Sequence, residues 1–295
     1  MITLIEAPSV LGLRPTGVEQ LPSALRDAGL MERLGIVHTE LASPPPYNSY
    51  RDPATHILNA QSIATYSTKL ANVVQATLES GSFPLVLGGD CSIILGNILA
   101  LKRKGRYGLL FLDGHADFYQ PTASTTGEAA DMDLALVSGH GPDIVTNLEG
   151  LKPLVQEDDI VQFGQRDREE TIADGSQQIA DTNIHLFELA TIRKEGTKKS
   201  CEAALAILKQ QPTKGFWVHI DADVINDDEM PAVDYRLPGG LTLDEMHTVL
   251  GQVIATGHVK GLSLAIYNPL LDPDKKIATK LVALLTNTLQ SVKNA

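Results

Sequence analysis

Short, almost purely apolar runs that alternate with helical patterns are the feature that most constrains this chain. The run Gly108–Leu112 contains no polar side chain. Strands that are buried on both faces have such sequences, and parallel sheets bury their strands in this way. Strands that alternate with helices indicate βαβ units. The predicted strands are Ile2–Ile5, Gly35–His38, Leu85–Leu87, Tyr107–Leu112, Ile160–Phe163, Ile184–Phe187, Phe216–Ile220 and Gly261–Ile266.

Apolar residues at three- and four-residue spacing predict helices between these strands. The predicted helices are Gly17–Gly29, His56–Ser80, Ser92–Lys104, Ser200–Gln211, Thr242–Thr256 and Lys276–Val292. The pattern predicts a three-layer α/β/α fold around a doubly wound, mostly parallel sheet of about eight strands. Because α/β folds of this length often form one unit, we expect residues 1–295 to be a single domain.

Composition excludes several classes of partner. The formal net charge is −12, and an acidic surface repels nucleic acid and anionic lipid. It is compatible with a small cationic substrate. No window approaches the ~20 apolar residues needed to cross a bilayer, and the first ten residues lack a secretion signal. The two cysteines, Cys91 and Cys201, suggest no disulfide framework. We therefore expect a cytoplasmic protein without nucleic-acid or membrane partners.

Acidic motifs follow three of the predicted strands. Gly88-Gly-Asp-Cys-Ser92, Asp113-Gly-His-Ala-Asp117 and His219-Ile-Asp-Ala-Asp223 each stand at a strand's carboxyl end. Ligands of doubly wound sheets bind beyond these ends. Alternate residues of extended chain point to one face, so Asp113, His115 and Asp117 should converge, as should Asp221 and Asp223. Gly88 and Gly89 in the first motif allow a tight turn and a close approach of the backbone.

These motifs predict a metal site. If the strand ends are neighbours, several carboxylates share one pocket, and like charges that close cannot all stay ionised without compensation. The motifs contain no lysine or arginine, so one or two divalent cations are the simplest neutralising partner. Oxygen ligands with one imidazole suit Mn²⁺, and less often Mg²⁺ or Zn²⁺.

Together the motifs resemble those of the ureohydrolase family, which includes arginases, agmatinases, guanidinobutyrases and formimidoylglutamases. The family carries Gly-Gly-Asp-His-Ser, Asp-Ala-His-x-Asp and a later Asp-x-Asp in this order. Further similar segments are Arg14–Glu19, Ala24–Leu30, Gly164–Asp167 and Ile266–Pro269. The resemblance covers nearly the whole chain.

The resemblance implies a binuclear Mn²⁺ site in a homo-oligomeric enzyme. By position, Asp113, His115, Asp117, Asp221 and Asp223 match the family's metal ligands. Two ions ~3.5–4 Å apart lower the pKa of a bridging water and hold it as hydroxide. In the family this hydroxide attacks a guanidinium or amidine carbon. Asp117 would also hydrogen-bond the hydroxide.

The sequence departs from the family at the first metal-binding histidine, where it has Cys91. A thiolate would be a softer ligand that favours Zn²⁺ over Mn²⁺. A neutral thiol would be a poor ligand, so one of the two metal positions would bind its ion weakly or stay empty. The alternative is a small buried residue without a ligand role. Branches that act on N-hydroxyguanidines tolerate a non-histidine at this place.

Two further departures concern catalysis and substrate. Arginases have a proton-transferring histidine where this chain has Ala130, and Glu128 is the nearest titratable replacement, with His140 as another. The acid that pairs with the guanidinium in arginases has no counterpart in Leu264–Pro269. A buried guanidinium needs a carboxylate or several acceptors, so we expect plain arginine to be a poor substrate. His219 is interpreted as a core residue or as a supporting neighbour of the ligands.

The leading hypothesis is therefore a metal-dependent hydrolase that cleaves a non-peptide C–N bond in a linear amidine or guanidino compound. Its predicted catalytic residues are Asp117 and Glu128, and its predicted metal ligands are Cys91, Asp113, His115, Asp117, Asp221 and Asp223. Two alternatives stay open. One is a non-catalytic metal-binding protein with the same fold, and the other is a different α/β metallohydrolase, such as a deacetylase-like enzyme.

Overall fold

The computed structural model describes residues 1–293 and contains an eight-stranded sheet in which every pair of neighbours is parallel. The strand order is β2-β1-β3-β8-β7-β4-β5-β6, which confirms the predicted sheet. The strands are β1 (Ile2–Ala7), β2 (Thr39–Leu41), β3 (Phe83–Gly88), β4 (Gly108–Leu112), β5 (Ile160–Phe163), β6 (His185–Phe187), β7 (Phe216–Asp221) and β8 (Val259–Ala265).

Helices cover the sheet in two layers, as predicted. One layer contains α3 to α6, and the other contains α1, α2 and α8 to α11. The helices are α1 (Leu21–Asp27), α2 (Leu30–Leu34), α3 (Ala60–Glu79), α4 (Ile94–Lys102), α5 (Asp133–Val137), α6 (Asp143–Thr146), α7 (Arg168–Ala173), α8 (Leu189–Glu195), α9 (Thr197–Gln210), α10 (Leu243–Ala255) and α11 (Lys276–Lys293). Among residues 1–293, no helix has both the length and the apolar character needed to cross a membrane.

The second strand lies later in the chain than Gly35–His38, where we predicted it. Gly35 ends α2 in a left-handed conformation with φ 62°, and the Ile36 amide donates to the Met31 carbonyl. Gly35 and Ile36 therefore form the C-terminal end of α2 and not the start of a strand. The strand itself, Thr39–Leu41, is short and exposed at the sheet edge, so it carries little of the apolar pattern that identifies buried strands.

The centre of the sheet positions the acidic motifs. β8 lies between β3 and β7, and β4 lies on the other side of β7. All residues of β4 and β7 are buried. Because these strands are parallel, the segments after β3, β4 and β7 leave the same edge of the sheet.

Gly89 fixes the turn after β3. A Cβ at this position would lie 1.7 Å from the Ser9 carbonyl oxygen. The Asp90 amide donates to the same oxygen at 3.0 Å. Only glycine allows the backbone to approach this closely, which supports the close approach expected from the sequence.

Candidate metal centre

The ends of β4 and β7 bring Asp113, His115 and Asp223 together. His115 Nδ1 lies 2.8 Å from Asp223 Oδ2, and Asp223 Oδ1 accepts from the Gly114 amide at 3.0 Å. Asp113 Oδ1 accepts from the His115 amide at 2.6 Å. One ligand atom from each of the three residues lies within 4.8 Å of the other two. The geometry therefore juxtaposes two carboxylates and an imidazole, as the sequence predicted.

Asp221 and Cys91 extend this group toward β3. The Cys91 thiol donates to Asp221 Oδ2 at 3.0 Å, and Asp221 Oδ1 accepts from the Asp223 amide at 2.7 Å. Potential ligand atoms of Cys91, Asp113 and Asp221 also lie within 4.8 Å of one another. Residues far apart in sequence thus form one continuous polar cluster beneath the strand ends.

Asp117 reaches the cluster by a different backbone path from the one we expected. The sequence interpretation assumed extended chain from Asp113 to Asp117, but no strand covers this segment and Asp117 has φ 45°. A left-handed conformation is uncommon for residues other than glycine, although asparagine and aspartate adopt it more often than most. The side chain is 7% exposed and lines the cavity described below.

The carboxylates perturb one another strongly. Burial, followed by the charges of neighbouring aspartates, raises the pKa of Asp113, Asp117 and Asp221 well above the usual value. Burial alone would raise the pKa of Asp223, but the charge and hydrogen bond of His115 and the charge of Arg166 hold it below its usual value. Burial opposes protonation of His115, yet Asp223 raises the pKa of this imidazole to about 9.

The donor set fits divalent cations. Asp113 Oδ2 is buried and has no hydrogen-bond partner among residues 1–293. An unpaired buried carboxylate oxygen is costly unless an ion or a proton compensates it. Carboxylate oxygens and imidazole nitrogens are ligands of Mn²⁺ and Zn²⁺. These residues therefore match the chemistry of the metal site that the motifs predicted.

Arg166 is a cation that the three motifs did not contain. It follows β5, and its Nη2 donates to the backbone oxygen of Asp223 at 2.7 Å. A Cβ on Gly114 would lie 2.0 Å from Arg166 Nη1. Although the Gly164–Asp167 segment was noted for its resemblance to the family, its sequence alone did not indicate that this guanidinium packs beneath the site.

Two further buried residues meet at the cysteine. His219 Nε2 lies 3.2 Å from Cys91 Sγ, and a ligand atom of Asp133 lies within 4.8 Å of both. All three side chains are fully buried. Asp133 was missed from the sequence because it stands at the start of α5, outside any acidic motif. His219 was expected only as a core or supporting residue.

A cavity of about 160 Å³ opens onto this centre. The polar loops after β4 and β5 supply most of its wall. Its lining includes Leu13, His115, Asp117, Tyr119, Thr125, Thr126, Glu128, Ala130, Asp131, Asp167, Glu170, Asp174, Asp221, Asp223, Tyr235 and Ile266. The acids in this wall make the cavity a suitable environment for a cation.

Glu128, the residue predicted to replace the proton-transferring histidine, lies in this wall. Its Oε2 accepts from the Tyr235 hydroxyl at 2.8 Å. Arg14 Nε lies 3.1 Å from Oε1, without the orientation of a hydrogen bond to that oxygen. Burial raises the pKa of Glu128, while Tyr235 and Arg14 oppose the increase. The carboxyl group is therefore held in place, with a pKa above that of a solvated glutamate.

His140, the other candidate for proton transfer, lies elsewhere. Its Nε2 is 2.7 Å from Glu157 Oε1, and its ring packs against Phe118 with centroids 5.2 Å apart. It is not among the cavity-lining residues in the described part of the chain. The structure therefore does not bring His140 together with the other predicted site residues, because nearness along the loop does not carry its ring into the cavity.

The chain is similar to arginases along its whole length. The sequence model of the Arginase family matches residues 2–290. An arginase from Staphylococcus aureus (strain MRSA252) is 31% identical over 293 residues, covering 96% of this chain and 95% of that protein. An arginase from Bacillus caldovelox is 30% identical over 292 residues, covering 96% of each. The crystal structure of arginase from Bacillus cereus has a TM-score of 0.85 and 27% identity, covering 98% of both chains.

Proposed function

The chain belongs to the arginase family, and from this premise we propose that it is a metal-dependent hydrolase. Its proposed substrate is a small cationic guanidino or amidine compound, and the bond cleaved is a C–N bond other than a peptide bond. One observation carries the proposal. The carboxylates of Asp113, Asp221 and Asp223 meet in a buried group beside an acidic cavity.

The residues that would hold the ions form two overlapping sets. Asp113, His115 and Asp223 make one set, and Cys91, Asp113 and Asp221 make the other. Asp113 belongs to both sets and would bridge them, while Asp117 faces the cavity beside them. Mn²⁺ suits the first set because its donors are oxygen and imidazole nitrogen. A pair of such ions, when bound, supplies Lewis acidity that makes water a nucleophile near neutral pH.

The protein's own contribution is to bind and orient the reactants. Asp117 is fixed by its left-handed backbone with its carboxylate at the cavity, where it can accept a hydrogen bond from the attacking water. Glu128 is buried beside Tyr235. Its raised pKa keeps the carboxyl protonated over a wider pH range than that of a solvated glutamate. We assign it the role of proton donor to the departing amine.

Substrate recognition must differ from that of enzymes with an acid on the last strand. At the end of β8 the cavity wall is provided by Ile266, a β-branched residue at φ 71°. Three other acids of the wall can bind a cation instead: Asp167, Glu170 and Asp174. A guanidinium needs a carboxylate or several acceptors, so we propose that these acids bind the substrate's guanidino group in place of an acid on β8, and that an N-hydroxyguanidino compound is turned over faster than plain arginine.

A substrate panel tests this function. Arginine, agmatine, N-hydroxyarginine, guanidinobutyrate, formimidoylglutamate and acetylated amines are incubated with protein loaded with Mn²⁺, Ni²⁺ or Zn²⁺, and release of urea, amide or amine is measured. We expect metal-dependent release from at least one guanidino or amidine compound. Release from acetylated amines alone would establish a deacetylase-like enzyme instead. No release from any compound by fully metal-loaded protein would favour a non-catalytic binding protein.

Assembly and compartment are part of the same proposal. A homo-oligomer is inferred from family analogy alone, and light scattering on the purified protein tests it. Both cysteines are buried free thiols, which is compatible with the proposed cytoplasmic location.

A further inference from the structure

We propose that Cys91, His219 and Asp133 form a sulfur- and nitrogen-containing position for a softer divalent cation, of which Zn²⁺ is the physiological example. We call these three residues the cysteine cluster. The proposal rests on the function proposed above, because Cys91 is shared with the aspartate set. It assigns ligand roles to His219 and Asp133, and it predicts two chemically different metal positions in one centre.

The three side chains converge from separate elements. Cys91 begins the 3₁₀ turn after β3, His219 lies on β7, and Asp133 begins α5. Their candidate ligand atoms lie within 4.8 Å of one another. A tetrahedral zinc site with ordinary bond lengths separates its ligand atoms by roughly 3.4–3.6 Å. Cys91 Sγ and His219 Nε2 lie 3.2 Å apart in a hydrogen-bond contact, so they would have to separate by only a few tenths of an ångström to bind the ion.

Asp133 provides an independent indication of a ligand. Its side chain is 0% exposed, and neither carboxylate oxygen has a hydrogen-bond partner among residues 1–293. A carboxylate in this position requires a compensating cation or proton. Within the described chain, the neighbouring charges that act most strongly on it are those of Asp113 and Asp221. A divalent cation between Asp133 and Cys91 would supply the missing partner.

His219 is oriented as metal-binding histidines are. Its Nδ1 lies 2.8 Å from the Ser263 hydroxyl oxygen on β8. The same oxygen accepts from Trp217 Nε1 at 2.9 Å. The imidazole also stacks on Phe111, with centroids 5.3 Å apart and planes 17° apart. Such contacts on the far nitrogen fix the ring and direct the other nitrogen to the ion.

The types of ligand determine which metal ion each of the two positions prefers. Thiolate is a soft ligand that selects Zn²⁺ and Co²⁺ over Mn²⁺, while imidazole suits all three. The set of Asp113, His115 and Asp223 lacks sulfur and should accept Mn²⁺. Ion binding would release the thiol proton to solvent, since thiolate is the ligand form.

Co²⁺ titration of metal-stripped, full-length protein tests the proposal, because Co²⁺ bound to thiolate gives a near-ultraviolet charge-transfer band. We expect this band in the wild type and its loss in Cys91→Ser. His219→Gln and Asp133→Asn should weaken Co²⁺ and Zn²⁺ affinity by at least about tenfold, the smallest effect typical of removing even an outer partner. Cys201→Ser is the matched control, since Cys201 is also buried but lies on α9. The Co²⁺ charge-transfer band should persist in this variant.

The outcomes separate this proposal from the hydrolase function. Absence of the band in the wild type at saturating Co²⁺ would overturn the cysteine cluster, and this result needs no variant to fold. Unchanged Co²⁺ and Zn²⁺ affinity in folded His219→Gln and Asp133→Asn, with the circular dichroism of the wild type, would also overturn it. Mn²⁺-dependent hydrolysis could persist in either case. A cysteine-dependent band that weakens in His219→Gln and Asp133→Asn, in a protein that hydrolyses no guanidino compound, would keep the cysteine cluster and reject the function.

Discussion

Asp223 connects the parts of the metal centre through both its side chain and its backbone. Its carboxylate accepts from the Gly114 amide and faces His115, and its backbone oxygen accepts from Arg166. The aspartate therefore joins the end of β7 to the segments after β4 and β5. Its negative charge holds the imidazole of His115, and in the proposed function it would also hold a cation.

We predict that Asp223→Asn removes metal and activity together. The amide keeps the shape of the side chain but lacks the charge that binds the ion. Since metal-ion catalysis contributes several kcal/mol, the rate should fall at least about 100-fold. Metal content by mass spectrometry and hydrolysis rates measure the effect. Asp227→Asn is the control, because Asp227 pairs with Arg236 outside the centre. Full turnover with both ions retained in Asp223→Asn would contradict the assignment.

Glu128 is predicted to act in proton transfer without binding metal. Glu128→Gln should lower kcat by about 100-fold or more, the usual range for general acid–base catalysis, while metal content stays unchanged. The pH profile of kcat should lose one ionisation. Glu170→Gln, at another acid of the cavity wall, should change KM more than kcat. An unchanged pH profile in Glu128→Gln would assign this residue a structural role beside Tyr235.

The central strands were predictable because their sequences carry little ambiguity. β4 and β7 are buried along their whole length, and their apolar runs predict this arrangement. The edge strand β2 was misplaced because its residues are exposed. The short helix α5 was missed because it spans only Asp133–Val137, too few residues to establish a helical period.

The candidate site shows the same division. Asp113, His115, Asp221 and Asp223 stand at or just after strand ends, so the sequence predicted their meeting on the condition that β4 and β7 are neighbours, which the strand order satisfies. Asp133 begins the short helix α5, whose position in the fold depends on tertiary packing. Asp117 joins the site through a left-handed backbone, which the alternation of extended chain does not predict. The sequence therefore predicted the residues beside the strand ends, and it did not indicate Asp133 at the start of α5 or the position of Arg166 after β5.

The capping box of α10 gives a test at a single helix end. Thr242 Oγ1 accepts from the Glu245 amide at 3.2 Å, and Glu245 Oε2 accepts from the Thr242 amide at 2.8 Å. Thr242→Ala should lower the free energy of unfolding by about 1 kcal/mol, measured by urea denaturation. Thr248→Ala, at an exposed position of the same helix, should change it little. Equal effects of the two substitutions would show that the cap contributes nothing specific.

The buried charges make the stability of the whole protein depend on pH and on metal. The pKa of His115 is raised from 6.5 to about 9. Its contribution to the free energy of unfolding is therefore complete below pH 6.5 and is lost as the pH rises through 9. The pKa values of Asp113, Asp117 and Asp221 are raised above 3.8, and their ionisation at higher pH destabilises the fold in the same direction. His219 has the opposite effect. Burial lowers its pKa to about 3, so the protein loses stability as the pH falls below 6.5.

We therefore predict that the Tm of chelator-treated protein falls as pH is raised from 6.5 to 9. Mn²⁺ replaces the protons on these ligands, so the increase in Tm that it causes should grow over the same range. Differential scanning calorimetry with and without Mn²⁺ measures both quantities. A Tm that stays constant with pH, together with a pH-independent effect of Mn²⁺, would mean that the acids do not bind the ion.

Anomalous diffraction from crystals grown with Mn²⁺ tests most directly whether distant aspartates meet to hold divalent ions. Data collected on both sides of the manganese absorption edge locate the ion without reference to activity. We predict a manganese peak within coordination distance of Asp113, His115 and Asp223. No peak at millimolar Mn²⁺, with these side chains ordered, would contradict the account.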